Sequence, residues 1–438
     1  MIADLKPYPE YKESGLPWLG RVPSGWRVVR NGSLFGQRNE TGYASLPILE
    51  VSLRTGVRVR NFENSTRKQV MTDADKYKRA AQGDVAYNMM RMWQGAIGVA
   101  PVDGLVSPAY VVARPFPEVE PRFFVALFRT DDYMAEVDNC SRGIVKDRNR
   151  LYWDQFKQIL SPCPPSAEQR AIARFLNWAS GRLERAIRAK KKELTLVSEV
   201  LLTVTQQALR LQGTRSLRLS TVAEVMSRPI DRRAGRSYIP IGLYNRGRGI
   251  FHKAKTDGAE LGDSDFFWVE DGDLVISGQF AWEGAVALAR AKDSGCVASH
   301  RYPIMRDRRE YVSSAVLMAL FRTSYGSMLL DHHSRGAAGR NRPLNAGMLL
   351  KEKVPIPPLS AQARITELLD QEHAVAQSLA QTIRFINEYR TRLVADVVTG
   401  KLDVREAAAR LPEEDAPDPV EDIDVSDETE PADEEAAA

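Results

Sequence analysis

Two short runs of this sequence concentrate the side chains best suited to gripping a nucleic acid. RGIVKDRNR, from Arg142, holds Arg142, Lys146, Arg148, Asn149 and Arg150; RGAAGRNR, from Arg335, holds Arg335, Arg340, Asn341 and Arg342. Arginine and lysine neutralise phosphates, the arginine fork also matches the guanine edge, and an asparagine amide matches adenine. Arg91, Gln94 and Gln279 are secondary candidates. They follow segments that begin at a Gly-Asp pair, GDVAY from Gly83 and GDLVIS from Gly272, each of which reads as a turn and a short strand.

Catalytic chemistry has less support. There is no GxxxxGK[ST] phosphate loop and no GxGxxG after a strand, and TGKLD at Thr399 has a Gly-Lys pair without the glycine loop before it. DHH at Asp331–His333 comes nearest to a metal site, but adjacent residues on regular structure do not easily share one ion, which favours a surface loop. His252 and His300 stand alone and read as core or surface residues. SPAY at Ser107 lacks the amide or acid that would hold a target amine, and no nuclease-like carboxylate–lysine cluster stands out. Cys140, Cys163 and Cys296 are odd in number and far apart, which argues against a disulfide framework or zinc cluster and fits a reducing compartment. The sequence reads as a binder.

Charge agrees. The stretch Pro412–Ala438 carries 13 acidic residues and no lysine or arginine, so the rest sets 61 basic against 44 acidic side chains, a surplus of 17. Such a surplus points to a polyanionic partner, nucleic acid above all. The acidic tail, poor in large apolar residues, is expected to be disordered. The N-terminus MIADLKPYPEYKESG has no apolar core, and no apolar run approaches the ~18 residues of a membrane span, so a cytoplasmic location is expected.

The elements that must carry these residues come in two sets. PCPPSAEQRAIARFL from Pro162 recurs as PIPPLSAQARITELL from Pro355, aligning Pro164, Gln169, Ile172 and Leu176 with Pro357, Gln362, Ile365 and Leu369 at an offset of 193. LPILEVSLRTGVRV from Leu46 resembles IPIGLYNRGRGIFH from Ile239. GDVAYNMMRMWQGAIGVA resembles GDLVISGQFAWEGAVALA and shares Trp93 with Trp282 and Gly95 with Gly284. With the two arginine runs, the matches are collinear, and a period near 190 is too long for a solenoid. This predicts two copies of a strand-rich domain followed by a helix. Trp93 and Trp282 read as core residues; Trp18 and Trp26 read equally as core or as a surface for a helix end or partner.

Each proline pair precedes a long apolar stripe. Ile172, Leu176, Ala179, Leu183 and Ala186 alternate four and three apart; Lys190 and Glu193 interrupt, and Val197, Val200 and Val204 resume. The second stripe, Ile365, Leu369, Ala376, Leu379, Ile383, Ile386, Leu393 and Val397, ends before Gly400. These are seven-residue repeats, and helices of roughly 60 Å are too long for one small domain, so the two are expected to pair as an antiparallel coiled coil.

The chain resembles the specificity subunit of type I restriction-modification systems. YKESGLPWLGRVPSGWRVVR is similar to that family's opening segment, PPSAEQRAIARFL to the start of its central spacer and VVTGKLDVR to the end of its distal one; the Gly-Asp blocks and SRG loops resemble its target-recognition domains. The resemblance covers roughly residues 8–408 and departs at Ala361, where LSAQ replaces the usual acidic-Gln pair. It implies an α+β fold of two duplicated mixed α/β target-recognition domains, 1–163 and 214–356, with spacer helices in 164–213 and 357–408; the acidic tail, 409–438, lies outside the resemblance and is expected to be disordered from its composition. It further implies a non-catalytic subunit that reads one half of a bipartite double-stranded DNA target with each domain and sets the gap with the helices. Two adenine methyltransferase subunits and restriction subunits would be its partners, and S-adenosylmethionine, ATP and Mg would belong to them, with no cofactor on this chain. A recognition module of a modification-only complex is the alternative.

Overall fold

The computed structural model describes residues 5–53, 55–60, 74–143, 149–308, 310–336 and 342–412. They fall into two compact units: the described residues of 1–187 and 382–418 form the first, those of 188–381 the second.

The first unit is organised by an antiparallel sheet in the order Phe35–Arg38, Tyr110–Pro115, Val85–Asn88, Ile97–Val99. Alternate residues of a strand face opposite sides, and both sides here are apolar. Val85, Tyr87, Val111 and Ala113 pack with the helices Pro121–Phe128 and Asp131–Cys140 in an aromatic core that includes Phe35, Phe123, Phe124, Phe128 and Phe156. Ala86 and Val112 face a second cluster with Leu49 and Val57, from the hairpin Leu49–Ser52/Gly56–Val59, and with Ala80 and Val106, from the paired strands Lys78–Ala80 and Gly104–Val106. The short helix Trp153–Phe156 leads into Leu160–Cys163, which pairs with Arg27–Arg30.

The second unit has the same order of parts. Its sheet runs Ala223–Val225, Ile304–Asp307, Leu274–Ile276, Val286–Leu288, all antiparallel. The hairpin Ile241–Leu243/Ile250–His252, the pair Phe266–Trp268 with Val297–Ser299, the helices Ser314–Arg322, Ser324–His332 and Ala346–Leu349, and the strand Lys353–Ile356 on Arg215–Arg218 follow the chain order of their counterparts.

The interiors differ where the folds agree. Asn31 follows Arg27–Arg30 and gives its backbone N–H to the Ile159 carbonyl; Leu219 follows Arg215–Arg218 and gives its own to Glu352. The buried Asn31 side chain donates to Tyr133 Oη (2.8 Å) and the Phe156 carbonyl (3.1 Å) and accepts from Ser161 Oγ (2.7 Å). At the offset of 193, Tyr133 and Ser161 give way to Gly326 and Val354, and with Leu219 the second unit is apolar there. A buried polar group is tolerated when fully hydrogen-bonded and is otherwise better replaced by apolar surface; each unit takes one of these two solutions.

A helix of 43 residues, Ser166–Ala208, and one of 40, Leu359–Val398, follow the proline pairs. The glutamine common to both motifs holds each start: buried Gln169 donates to the Pro164 carbonyl (2.8 Å), and buried Gln362 to that of Pro357 (2.9 Å). In the first unit, Ile172, Phe175, Leu176 and Ala179 share a core with Leu393, Val397 and Val398, and Glu184 lies 3.8 Å from Arg390. In the second, Leu201 and Ala208 share a core with Ile365, Leu368 and Leu369. The start of each long helix thus packs with the end of the other. The second stripe is buried or half-buried throughout as expected, but in the first Ala186 and Val200 are exposed, and Leu201, Thr205 and Ala208 are buried in place of Val200. A straight helix turns slightly less over seven residues than a strict seven-residue repeat requires, so the buried stripe drifts along its length. Arg322, at the end of Ser314–Arg322, grips Glu372 with both guanidinium nitrogens and donates to Ser198 Oγ (2.8 Å), tying the sheet-covering helix to both long helices. Among the described residues no helix is long and apolar enough to cross a membrane.

Two predictions follow from these interiors. Asn31→Ala leaves Tyr133 and Ser161 with only each other and removes the side-chain donor of the Phe156 carbonyl, and is expected to cost about 1–3 kcal/mol, read as a lower denaturant midpoint at unchanged slope; an unchanged midpoint would show the network contributes nothing. Burial pushes the Glu372 carboxyl up, but the Arg322 hydrogen bonds and charge outweigh it, so the group lies below its ordinary 4.5. A depressed carboxyl stabilises the fold above that value and loses its contribution as pH falls below it. Glu372→Gln is expected to be less stable than the wild type at neutral pH, with the gap narrowing on acidification below about 4.5. A gap independent of pH in parallel denaturation series would contradict the assignment.

Candidate nucleic-acid interfaces

Each unit brings its described candidate residues together at one place, at the end of the central strand that starts from the Gly-Asp pair. Gly83 (φ 89°) and Gly272 (φ 85°) take the left-handed backbone that a side chain resists. The aspartates after them are buried and held. Asp84 accepts from the Ala81 amide (2.9 Å) and Arg38 Nε (2.6 Å). Asp273 accepts from the Glu270 amide (2.8 Å), Arg228 Nη1 (2.8 Å) and Arg306 Nε (2.9 Å).

In the first unit, Asn88 Oδ1 accepts from the Met90 amide (2.9 Å) and turns the chain out of the strand. A single 3-10 turn, Met92–Gln94, ends at left-handed Gly95 (φ 86°). Met92 is buried, and Arg91 and Gln94 are exposed on either side. Trp93 is half-buried against the core, its Nε1 donating to the Met90 carbonyl (3.0 Å), which bears out the core reading. The arginine run closes on itself through two backbone hydrogen bonds between Arg142 and Arg150 (3.1 and 3.0 Å), and the Leu151 amide then donates to the Met89 carbonyl (2.9 Å). That bond places the base of the loop beside the Arg91 turn. Arg142 and Arg150 are exposed; Asn149 is half-buried and donates to Asp138 (3.3 Å), so here it braces the loop. Lys146 and Arg148 lie outside the described residues.

The second unit repeats the arrangement. The Leu344 amide donates to the Gly278 carbonyl (2.7 Å), and an antiparallel bridge between Ser334 and Leu344 closes the run beside half-buried Gln279. The 3-10 turn Ala281–Glu283 ends at left-handed Gly284 (φ 73°). Arg342 lays its guanidinium over the Trp282 ring, 4.7 Å from the centroid, and pairs with Asp331 (2.8 Å). Trp282 thus departs from a plain core role: it is half-buried, and the Arg342 guanidinium stacks on it. Arg335 is exposed and donates to the His332 carbonyl (3.2 Å); Arg340 and Asn341 lie outside the described residues. A cleft of about 610 Å³ opens at the foot of this loop, lined by His332, His333, Arg335, Asn345 and Met348.

Ion pairing separates structural from available cations. Arg79 donates hydrogen bonds to Asp103 and to Glu40, which hold it charged far above neutrality despite some desolvation, and Arg38 is neutralised by Asp84 and Glu40. Arg91, Arg142, Arg150 and Arg335 have no carboxylate partner among the described residues. A cation left unpaired at a surface is available to a phosphate.

Of the two readings of Trp26, core and helix end, both hold: it is fully buried, with Nε1 donating to buried Glu168 (2.9 Å) in the first turn of the long helix, and Glu168 also accepts from Tyr8 (2.6 Å). Trp18 is half-buried on the same core and meets Tyr133 edge-on at 5.5 Å. One arrangement was missed in the sequence. His252 is not alone: its Nε2 meets Asp293 Oδ1 (2.8 Å) and Cys296 Sγ (3.6 Å). A relay to a nucleophile needs the acid and the thiol on opposite ring nitrogens, and here both meet the same one. Burial, reinforced by Asp293, also pushes the Cys296 thiol up, away from the reactive thiolate.

No protein-family model matches the sequence, and no curated protein matches it. Solved structures do. A chain of the structure described as "Structural basis underlying complex assembly and conformational transition of the type I R-M system" is similar over 87% of this chain and 99% of that one, with 18% identity and a TM-score of 0.56. The HsdS subunit from Thermoanaerobacter tengcongensis is matched over 87% and 98%, with 20% identity and a TM-score of 0.45. The type I restriction-modification S subunit from M. genitalium is matched over 85% and 96%, with 12% identity and a TM-score of 0.46. In fold, this chain is similar along nearly its whole length to a component of a type I restriction-modification system, the family that its sequence resembles.

Proposed function

We propose that this chain is the non-catalytic specificity subunit of a type I restriction-modification complex. Its two units are copies of one DNA-reading domain, each engaging half of a bipartite double-stranded target. The long helices pair as an antiparallel coiled coil and set the gap between the half-sites. Methyltransferase subunits carrying S-adenosylmethionine, and ATP- and Mg-dependent restriction subunits, act at the site that this chain selects in the cytoplasm, and the chain itself holds no cofactor. The observation that carries this reading is the repeated corner: in both units an arginine-rich loop is hydrogen-bonded to the turn that follows the Gly-Asp strand, through Leu151 to Met89 and through Leu344 to Gly278. The exchange of helix starts and ends between the two cores supports the antiparallel pairing. A modification-only complex would use the same surfaces.

Two experiments on the assembled complex test this. Arg142→Ala with Arg150→Ala is expected to weaken discrimination at one half-site by about 1–3 kcal/mol per lost base contact and leave the other half-site intact. Equal affinity for all probes before and after the change would remove the loop from the interface. Inserting four residues into each long helix, after Ile187 and after Gln381, adds about 6 Å and is expected to lengthen the recognised gap by roughly two base pairs at ~3.4 Å each. A gap unchanged in the map of methylated sites would show that the helices are not the ruler.

A further inference from the structure

The hairpin between Ile241–Leu243 and Ile250–His252 in the second unit carries an arginine that neither arginine run contains. Arg246 has φ 58° and is the one residue other than glycine with a left-handed backbone among the described residues. A side chain resists that conformation, which persists only where the surroundings impose it and tends to mark a functional site. The surroundings here are specific. The Arg246 amide donates to the Glu283 carbonyl (3.0 Å), the Gly247 amide donates to that of Gly284 (2.8 Å), and the Asn245 side chain donates to the Glu283 carboxylate. Behind the loop, a Cβ on Gly247 would lie 2.8 Å from Arg322 Cδ, so the arginine that grips Glu372 also backs the hairpin.

This packing sets the hairpin against the turn whose Trp282 bears Arg342. Its two arginines then divide. Arg248 is tied down, with Nε on the Asn245 carbonyl (3.0 Å) and its guanidinium over Tyr244 at 5.4 Å. Arg246 is exposed, and its guanidinium has no hydrogen bond or ion pair among the described residues. A backbone held in an unfavourable conformation to present an unpaired guanidinium beside an interface is the arrangement of a reading residue.

We infer that Arg246 is a specificity-determining residue of the second unit, its guanidinium reading a base edge, guanine by the geometry of its fork, from a third loop beside the Arg342 platform. This inference rests on the DNA-reading role proposed above. Arg322 and Glu283 are positioning residues for it.

The discriminating variant is Arg246→Gly, because glycine removes the guanidinium while favouring the left-handed backbone. The full chain, co-produced with its methyltransferase subunits, would be assayed by mapping methylated adenines in host DNA and by thermal melting of the complex. Melting at or above the wild-type temperature is expected, together with a roughly ten- to hundred-fold loss of discrimination at one base position of one half-site. Arg246→Lys, which keeps the charge without the fork, is expected to relax the same position. An unchanged motif in Arg246→Gly overturns the inference. So does a uniform weakening on all sequences that Arg246→Lys restores, since that marks a phosphate contact. If the wild-type complex methylates no bipartite site, the proposed function itself falls, which is a separate result.

Discussion

The fold depends on a buried carboxylate at the foot of each central strand. Asp84 and Asp273 are withdrawn from water, a step that costs several kcal/mol per ion unless the charge is paired and its lone pairs are filled. Both conditions are met: a backbone amide three residues upstream closes the turn, and arginines from neighbouring segments supply the counter-charge. The pairing fixes where the strand starts, and a strand of three or four residues has only one place to end. The 3-10 turn, its left-handed glycine and the arginine loop hydrogen-bonded to it all inherit their positions from that corner. The carboxylate is held by groups outside the arginine loop, so its bonds do not depend on that loop's sequence.

The same frame tolerates two kinds of interior. In the first unit, Asn31, Tyr133 and Ser161 satisfy one another, and Glu168 collects Tyr8 and Trp26. In the second, Leu219, Gly326 and Val354 stand where the polar trio would be, and Ala361 stands where Glu168 would be. The absence of an acid at Ala361, a departure from the family pattern in sequence, has a physical counterpart. Glu168 serves residues of the N-terminal segment, which begins the first unit, whereas the second unit is entered directly from a long helix. A buried acid there would have no such donors, and an apolar residue costs less.

Patterns that depend on near neighbours were legible in the sequence. The Gly-Asp turns, the proline-glutamine helix starts and the second apolar stripe all stand where periodicity and turn chemistry put them, because each is decided within a few residues. The first stripe failed at Ala186 and Val200, since a heptad template does not follow the helix's own drift over more than forty residues. Trp282 and Arg342 lie sixty residues apart, and their stacking depends on how the loop closes at Ser334 and Leu344. Arg246 was invisible for another reason. In NRGRG the glycines mark a turn, but which residue takes the left-handed conformation is settled by Glu283 and Gly284, far along the chain.

The division of the arginines follows from these constraints. A guanidinium that stabilises the fold must be paired, and once paired with a carboxylate it contributes little net charge to a surface. Arg38, Arg79, Arg228, Arg306 and Arg322 are used in this way, each against a buried or half-buried acid. The surplus of positive charge outside the acidic tail is therefore carried by side chains that the interior does not need, and the structure places Arg91, Arg142, Arg150, Arg246 and Arg335 among them. Neutralising a phosphate releases a condensed counterion only where the cation was not already neutralised by the protein. Net charge alone pointed to a nucleic acid, but the pairing of the core arginines selects which few positive charges can reach one.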